Sequence, residues 1–261
     1  AALVDTRPSV AELWYGVLRT GRTFAPLNVD LAPDTLRHQL DALGPDLLVC
    51  ERDTESLATA VSDCPIVSVD DPTTGGVSSL AVSESARDVT PYVDTREATA
   101  LMLFAMGRTH GPTGVRRTLW TLVASETAWA FSLGVVPGDR WLVCLPTYHM
   151  GGLAPFVRAV LYGTTVVVQR DFDPVETARI LDEHDVTGVS LVPTMLKRLV
   201  NDGWAPSEAL RFVLLGGGPA DSELVERCLA QAIPVCPTYG MTETASQIAT
   251  ALPETAGSHR G

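Results

Sequence analysis

The sequence predicts an α/β fold built as two stacked parallel-sheet subdomains, and three observations carry that prediction. Short apolar runs bounded by Gly, Pro and Asp alternate with segments whose apolar residues recur at helical spacing. Such alternation builds parallel strands joined by crossover helices, because parallel neighbours need a long connection. A stretch rich in Asp, Ser, Thr and Gly, from Asp70 to about Glu97, interrupts the alternation and reads as a surface connection. It divides the chain into a first subdomain over residues 1–95 and a second over residues 96–261. Last, the apolar run Phe212 to Leu215 breaks into Gly216-Gly217-Gly218-Pro219. A strand that ends in such a turn opens onto the crevice where α/β sheets bind ligands.

The first subdomain opens with Val10, Leu13, Trp14, Val17 and Leu18, spaced for one helix face over Ser9 to Arg19. Gly21 ends that helix, and Phe24 to Val29 reads as a short strand. Pro33-Asp34 open a second helix that Gly44-Pro45 stop near Leu43. Leu47 to Cys50 and Ile66 to Val69 read as strands on either side of a short helix, Glu55 to Val61.

In the second subdomain Leu101 to Ala105 is a strand that runs into a glycine-containing loop, Met106 to Val115. Thr118 to Leu133 and Leu153 to Tyr162 have helical period, with strands at Trp141 to Leu145 and Thr164 to Gln169. Asp173 is the expected N-cap of a helix from Pro174 to Glu183. Val186 to Val192 is a strand, followed by the amphipathic helix that carries Lys197. After Phe212 to Leu215 come a helix over Asp221 to Gln231, a short strand at Ile233 to Cys236, and a polar loop.

Composition narrows the functional classes. The chain is 46% hydrophobic, within the ordinary range for a globular protein, and its net charge is −12. Eighteen arginines stand against a single lysine, Lys197, and no stretch concentrates positive charge, which argues against a nucleic-acid partner. No apolar run approaches the roughly 18 residues that a membrane-spanning helix needs. No basic, apolar leader opens the chain, so no secretory signal is expected. The five cysteines are scattered and odd in number, which suits buried, reduced thiols and a cytoplasmic location. Self-association into a homo-oligomer is left open.

The chemistry concentrates between Phe212 and Ser246. Three consecutive glycines let backbone amides approach a flat ring or a phosphate closely. Downstream, Tyr239 can stack on a base, Thr242 can donate to a phosphate oxygen, and Glu243 can hold a hard cation such as Mg²⁺. That combination suits a nucleotide.

The order Gly-Gly-Gly-Pro-Ala, then Tyr-Gly-Met-Thr-Glu-Thr about twenty residues later, resembles the adenylate-forming acyl-CoA ligase family of AMP-binding enzymes. The resemblance implies the large N-terminal domain of such an enzyme. It also implies ATP-dependent activation of a carboxylic acid to an acyl-adenylate and transfer to coenzyme A, with ATP, Mg²⁺ and CoA as cofactor and cosubstrates. Gly216, Gly217, Gly218 and Pro219, with Tyr239, Gly240, Met241 and Thr242, would then contact the nucleotide, and Glu243 the metal. Pro146-Thr147-Tyr148-His149-Met150-Gly151-Gly152 is similar to the family's aromatic-His-x-Gly-Gly motif, which makes His149 catalytic beside Thr242 and Glu243. His149, Gly151, Ser190, Val192, Pro193 and Thr194 would border the acid. The hydroxyls of Ser190 and Thr194 equally suit capping and backbone satisfaction at the start of a helix.

The loop over Met106 to Val115 matches the family's phosphate loop in position and in Gly107, Pro112 and Gly114. Its polar chemistry departs from the pattern. Met106 and Arg108 replace hydroxyl residues, His110 replaces glycine, and Thr113 replaces lysine. Losing the lysine removes one charge-assisted contact, worth about 1.5–3 kcal/mol. The loop, with Gly107, Thr109 and Gly114 as its candidate nucleotide contacts, is therefore either a weakened phosphate site or one that is repurposed or non-functional.

Family members continue past the equivalent of Gly261 into a ribose-binding aspartate, a hinge and a lid that bears a lysine. This piece alone is expected to bind nucleotide without completing the reaction. Leu-Leu-Gly-Gly-Gly-Pro-Ala, Val-Pro-Thr-Met-Leu-Lys-Arg-Leu and Tyr-Gly-Met-Thr-Glu-Thr-Ala-Ser-Gln-Ile look similar to 2-succinylbenzoate–CoA ligases of menaquinone synthesis. Medium- or long-chain fatty acid–CoA ligases, or a non-catalytic nucleotide- or acyl-binding relative, are the alternatives.

The acidic, lysine-poor balance suits a salt-adapted cytoplasm, with ordinary acidic composition as the alternative. Screening relieves repulsion among excess carboxylates, so the melting temperature should rise between low and molar KCl. A flat or falling profile removes the salt-adapted reading.

Overall fold

Parallel pairing organises both halves of the chain, and hydrophobic strands set between amphipathic helices are the reason. The computed structural model describes residues 1–80, 97–107 and 111–257. Most of the connection expected between the subdomains (81–96), the loop residues Arg108, Thr109 and His110, and residues 258–261 lie outside them. The chain divides into two units, Ala1–Trp120 and Thr121–Gly261.

The first unit carries β1 (Ala2–Leu3), α1 (Pro8–Arg19), α2 (Pro33–Leu43), β2 (Leu48–Cys50), α3 (Glu55–Val61), β3 (Ile66–Ser68) and β4 (Val77–Ser79). These strands form a parallel sheet in the order β1-β2-β3-β4. Leu3, Leu48 and Ile66 pack with Leu36 and Leu40 of α2 and Ala58 and Val61 of α3 into one core. The helix ends follow local chemistry: proline opens α1 and α2, and Gly44 closes α2 in the left-handed conformation at φ 54°.

Phe24 to Val29, expected as a strand, forms only isolated bridges, Ala2 with Pro26 and Phe24 with Leu101. Pro26 has no N–H to extend a ladder. A second departure concerns the loop expected at 106–115. Strands β5 (Thr99–Gly107) and β6 (Gly111–Thr118) pair antiparallel along that stretch, as far as Gly107 opposite Gly111. Leu101 and Leu103, both buried, anchor one strand of the ladder.

The second unit begins with α4 (Leu119–Leu133), whose first two residues belong to the first. It continues through β7 (Arg140–Val143), α5 (Met150–Tyr162), β8 (Thr165–Val168), α6 (Pro174–Glu183), β9 (Gly188–Leu191) and α7 (Pro193–Asn201). β10 (Phe212–Leu215), α8 (Ser222–Ala230), β11 (Val235–Gly240), β12 (Gln247–Thr250) and α9 (Pro253–Ala256) follow. The sheet order is β12-β11-β10-β9-β7-β8, parallel except for the antiparallel edge strand β12. Asp173 caps α6 by accepting the Glu176 N–H at 2.9 Å, as its position predicts. Asp221 caps α8 in the same way, accepting from Glu223.

The sheet is laced at the N-terminal ends of its central strands. Arg211 donates to both Asp139 carboxylate oxygens at 2.7 and 2.8 Å, and Thr187 donates to the same carboxylate at 2.9 Å. These three residues immediately precede β10, β7 and β9. One half-hidden ion pair therefore fixes the starting level of three strands.

Glu55 gives a pH test of the first unit. One of its oxygens accepts from the Thr73 N–H, the Thr73 hydroxyl and the Thr74 N–H, each at 2.9 Å. These donors, led by the Thr73 N–H, hold its pKa down at about 2 against an ordinary 4.5. A depressed folded pKa contributes stability that is present above pH 4.5 and lost as pH falls towards 2. Glu55→Gln should lower the melting temperature at pH 7, with the gap to the parent closing across that window. A gap independent of pH would show that the charge contributes nothing.

Candidate functional site

The strand order of the second unit dictates where a ligand can sit. From β7 the chain moves outward to β8, then returns to the other side of β7 for β9, β10 and β11. The direction of winding reverses between β7 and β9, and sheets of this kind bind ligands outside the carboxyl ends of the strands at that point. A cavity of about 340 Å³ lies there. Its lining comes from the segments that leave β7, β9, β10 and β11.

Several residues singled out from the sequence converge on it. His149, Gly151, Ser190 and Val192 line one part, and Gly216, Gly217, Gly240, Met241 and Thr242 another. Pro193 and Thr194, which open α7, and Gly218, Pro219, Tyr239 and Glu243 are outside the lining. Gly107 and Gly114 belong to β5 and β6 of the first unit, and Thr109 falls outside the described residues.

Local sterics explain the glycines. A Cβ on Gly152 would stand 2.4 Å from the Pro146 carbonyl oxygen and 2.5 Å from that of Leu145. Only glycine lets α5 start this close to the loop, and α5 accordingly begins at Met150, earlier than its apolar period suggests. His149 caps the helix in extended conformation, its carbonyl accepting from Gly152 and Leu153. The ring, 4.7 Å from Tyr148, stays open to solvent on one side. Burial of the rest lowers its pKa from the ordinary 6.5, which favours neutral imidazole at pH 7. Gly217 takes φ 75°, a left-handed turn that L-residues resist.

The stretch after Cys236, expected to be a polar loop, remains strand through Gly240. Pairing with β12 holds it, reinforced by the Thr238 and Thr250 hydroxyls at 2.9 Å. The register slips between Tyr239 and Gly240, and a Cβ on Gly240 would lie 2.1 Å from the Ser246 carbonyl oxygen. Met241 to Thr244 then make a tight turn in which the Thr244 hydroxyl accepts from Met241 N–H. Ala245 closes the turn at φ 69°, a strained setting for a residue with a side chain. Thr242 is presented to the cavity, while Tyr239 and Glu243 are exposed.

Arg158 was missed in the sequence. It lines the cavity although it is only 3% exposed, a cation in the wall of a mostly apolar space. Its Nε donates to Glu126 at 2.5 Å, and its guanidinium carbon lies 4.1 Å from the Trp129 ring centre and 4.9 Å from that of Trp141. Trp141 fits because its strand neighbour is Gly188, where a Cβ would be 2.2 Å from the indole. The signal was a lone charge in the apolar run Leu153 to Tyr162.

Residues 1–260 match the protein family described as AMP-binding enzyme. The chain belongs to that family. Among relatives, the 2-succinylbenzoate–CoA ligase of Bacillus velezensis is 34% identical over 260 residues, covering 97% of this chain and 50% of the relative. The o-succinylbenzoate CoA synthetase of Bacillus subtilis, solved with the acyl-adenylate intermediate OSB-AMP, superposes with a TM-score of 0.87 at 30% identity. That alignment covers 98% of this chain and 51% of the other. The same synthetase solved with ATP and magnesium ion gives a TM-score of 0.85 at 30% identity, covering 99% of this chain and 52% of the other. The chain spans about half the length of the curated relatives it matches. Within this AMP-binding enzyme, the cavity at the switch point is the candidate site.

Gly240→Ala tests the geometry. The new methyl meets the Ser246–Gln247 backbone, so it should cost about 1–3 kcal/mol, as overpacking does, and disturb the turn that presents Thr242. Chemical denaturation measures the loss. A variant as stable as the parent would show that the β11–β12 approach is looser than described.

Proposed function

We propose that the protein carrying this chain activates a carboxylic acid with Mg²⁺·ATP and passes the acyl group to coenzyme A, as a 2-succinylbenzoate–CoA ligase of menaquinone synthesis. Activation requires the acid's carboxylate to attack the α-phosphorus of ATP with loss of pyrophosphate. Thiolysis of the acyl-adenylate by CoA then releases AMP. In this reading the Gly216–Gly217 backbone and the Gly240–Met241 segment receive the nucleotide, and Thr242 donates to a phosphate oxygen. Among the described residues no group of three or more His, Cys, Asp or Glu could hold a metal ion. Glu243 would supply one carboxylate to Mg²⁺, with phosphate oxygens and water completing the shell, the usual economy of magnesium sites on nucleotides. His149, neutral at pH 7, would border the acyl carbonyl without adding charge.

The observation that carries the choice of acid is Arg158. A fatty acid has no use for a cation in the wall of its pocket, whereas an aromatic acid with a second carboxylate does. The relatives named for 2-succinylbenzoate support the same choice. Free cysteines and the absence, among the described residues, of a helix long and apolar enough to cross a membrane are compatible with a cytoplasmic enzyme.

Mg²⁺·ATP should raise the melting temperature, by the equivalent of about 2.7 kcal/mol at a hundred times its Kd. Glu243→Gln should remove the part that depends on Mg²⁺. With the complete polypeptide, AMP release should be faster with 2-succinylbenzoate than with octanoate. No thermal response to nucleotide would reject the site, and a preference for octanoate would reject the acid.

A further inference from the structure

Glu126 contributes nothing to the cavity lining, yet it is fully buried at 0% exposure and holds Arg158, the cation among the described lining residues. Burying a guanidinium without a counter-charge is strongly unfavourable, so some partner is required. The partner chosen here is incomplete. Glu126 takes only the Arg158 Nε, and the Arg158 Nη1 and the second Glu126 oxygen are buried without hydrogen-bond partners. The two-pronged geometry that would satisfy both groups, common for arginine and a carboxylate, is not used.

The surroundings fix the pair in place. The indoles of Trp129 and Trp141 meet edge to face at 5.5 Å and both lie against the guanidinium. One turn after Arg158 on α5, the Tyr162 hydroxyl donates to the Glu126 backbone carbonyl at 3.0 Å. Residues 158 and 162 thus grip the same residue of α4, one by its side chain and one by its backbone. Both contacts tie α4 to α5 beside the cavity that Arg158 helps to line.

We propose that Glu126 is a positioning residue that sets how strongly the cavity prefers an acid with a second carboxylate over an apolar one. It anchors Arg158 by one nitrogen, leaves Nη1 uncommitted, and offsets enough of the positive charge for the apolar wall to tolerate it. Substrate carboxylate and Glu126 then share one guanidinium. This inference rests on the acid proposed above, and the experiment separates the two.

The measured quantity is the ratio of the Kd of a non-hydrolysable octanoyl-adenylate analogue to that of the 2-succinylbenzoyl analogue, by calorimetry on the complete polypeptide. Glu126→Gln keeps an acceptor but removes the competing charge, so the substrate carboxylate becomes the sole counter-ion and the ratio should rise about tenfold. Glu126→Asp keeps the charge but shortens its reach, which draws the guanidinium away, and the ratio should fall. Arg158→Met should bring the ratio near one. A purely structural Glu126 would change both affinities by the same factor in both variants, and that result overturns the proposal. If Glu126→Gln does not fold, the Glu126→Asp ratio decides alone. If Arg158→Met leaves the parent ratio unchanged, the assignment of the acid's second carboxylate fails and takes this inference with it. A collapsed ratio in Arg158→Met beside unchanged ratios in both Glu126 variants rejects the role of Glu126 only.

Discussion

The register of β9 with its two neighbours is the constraint on which the second unit depends. Gly188 stands opposite Trp141 on one side and Phe212 on the other, with Leu191 opposite Leu215. Parallel strands hydrogen-bonded in this register end at a common level. Leu145, Val192, Gly216 and Met241 are brought to one rim although nearly a hundred residues separate the first from the last. The Asp139–Arg211–Thr187 cluster sets the same level at the opposite end. Polar groups with complete partners thus sit where the strands begin, and open glycine turns sit where they end. Rigidity and reactivity are segregated along the strand axis.

The cavity wall repeats that economy on a smaller scale. Most of its lining is apolar, which suits a ring or chain, and the cation among its described residues, Arg158, lies against two indoles set nearly at right angles. A charged pair in such a place gives little net stability compared with apolar residues of the same size. Its presence is easier to understand as recognition than as support. The turn at Met241–Ala245 has a similar character, with a strained Ala245 at φ 69° held by hydrogen bonds through Thr244.

What the sequence made legible was governed by local chemistry. Pro174 to Glu183 with its Asp173 cap, and Phe212 to Leu215 before the glycines, match the structure residue for residue because capping and abrupt polarity changes mark their own ends. Pairing partners are not local, and the misreadings lie there. β11 runs on to Gly240 because β12 pairs with it, and Met106, Gly107 and Gly111 to Val115 are strand because β5 and β6 pair with each other. Phe24 to Val29 looks like a strand in isolation and finds only two bridges. At the cavity, part of the motif set, including His149, Gly216 and Thr242, falls in the lining, whereas Arg158 was not legible, since its meaning depends on Glu126, 32 positions away, and on two tryptophans from different elements.

Gly188 has a consequence for how such a pocket can change over generations. It binds nothing, yet any side chain there would strike the Trp141 indole at 2.2 Å. The two positions form an ordered pair: Trp141 must become smaller before residue 188 can become larger. The first of those steps strips one aromatic face from Arg158. A lineage that depends on that cation is closed to the path, and one that has abandoned it is free to take it. Residue 188 is therefore a place to look for divergence in acid preference, although it lies outside the lining and carries no functional group.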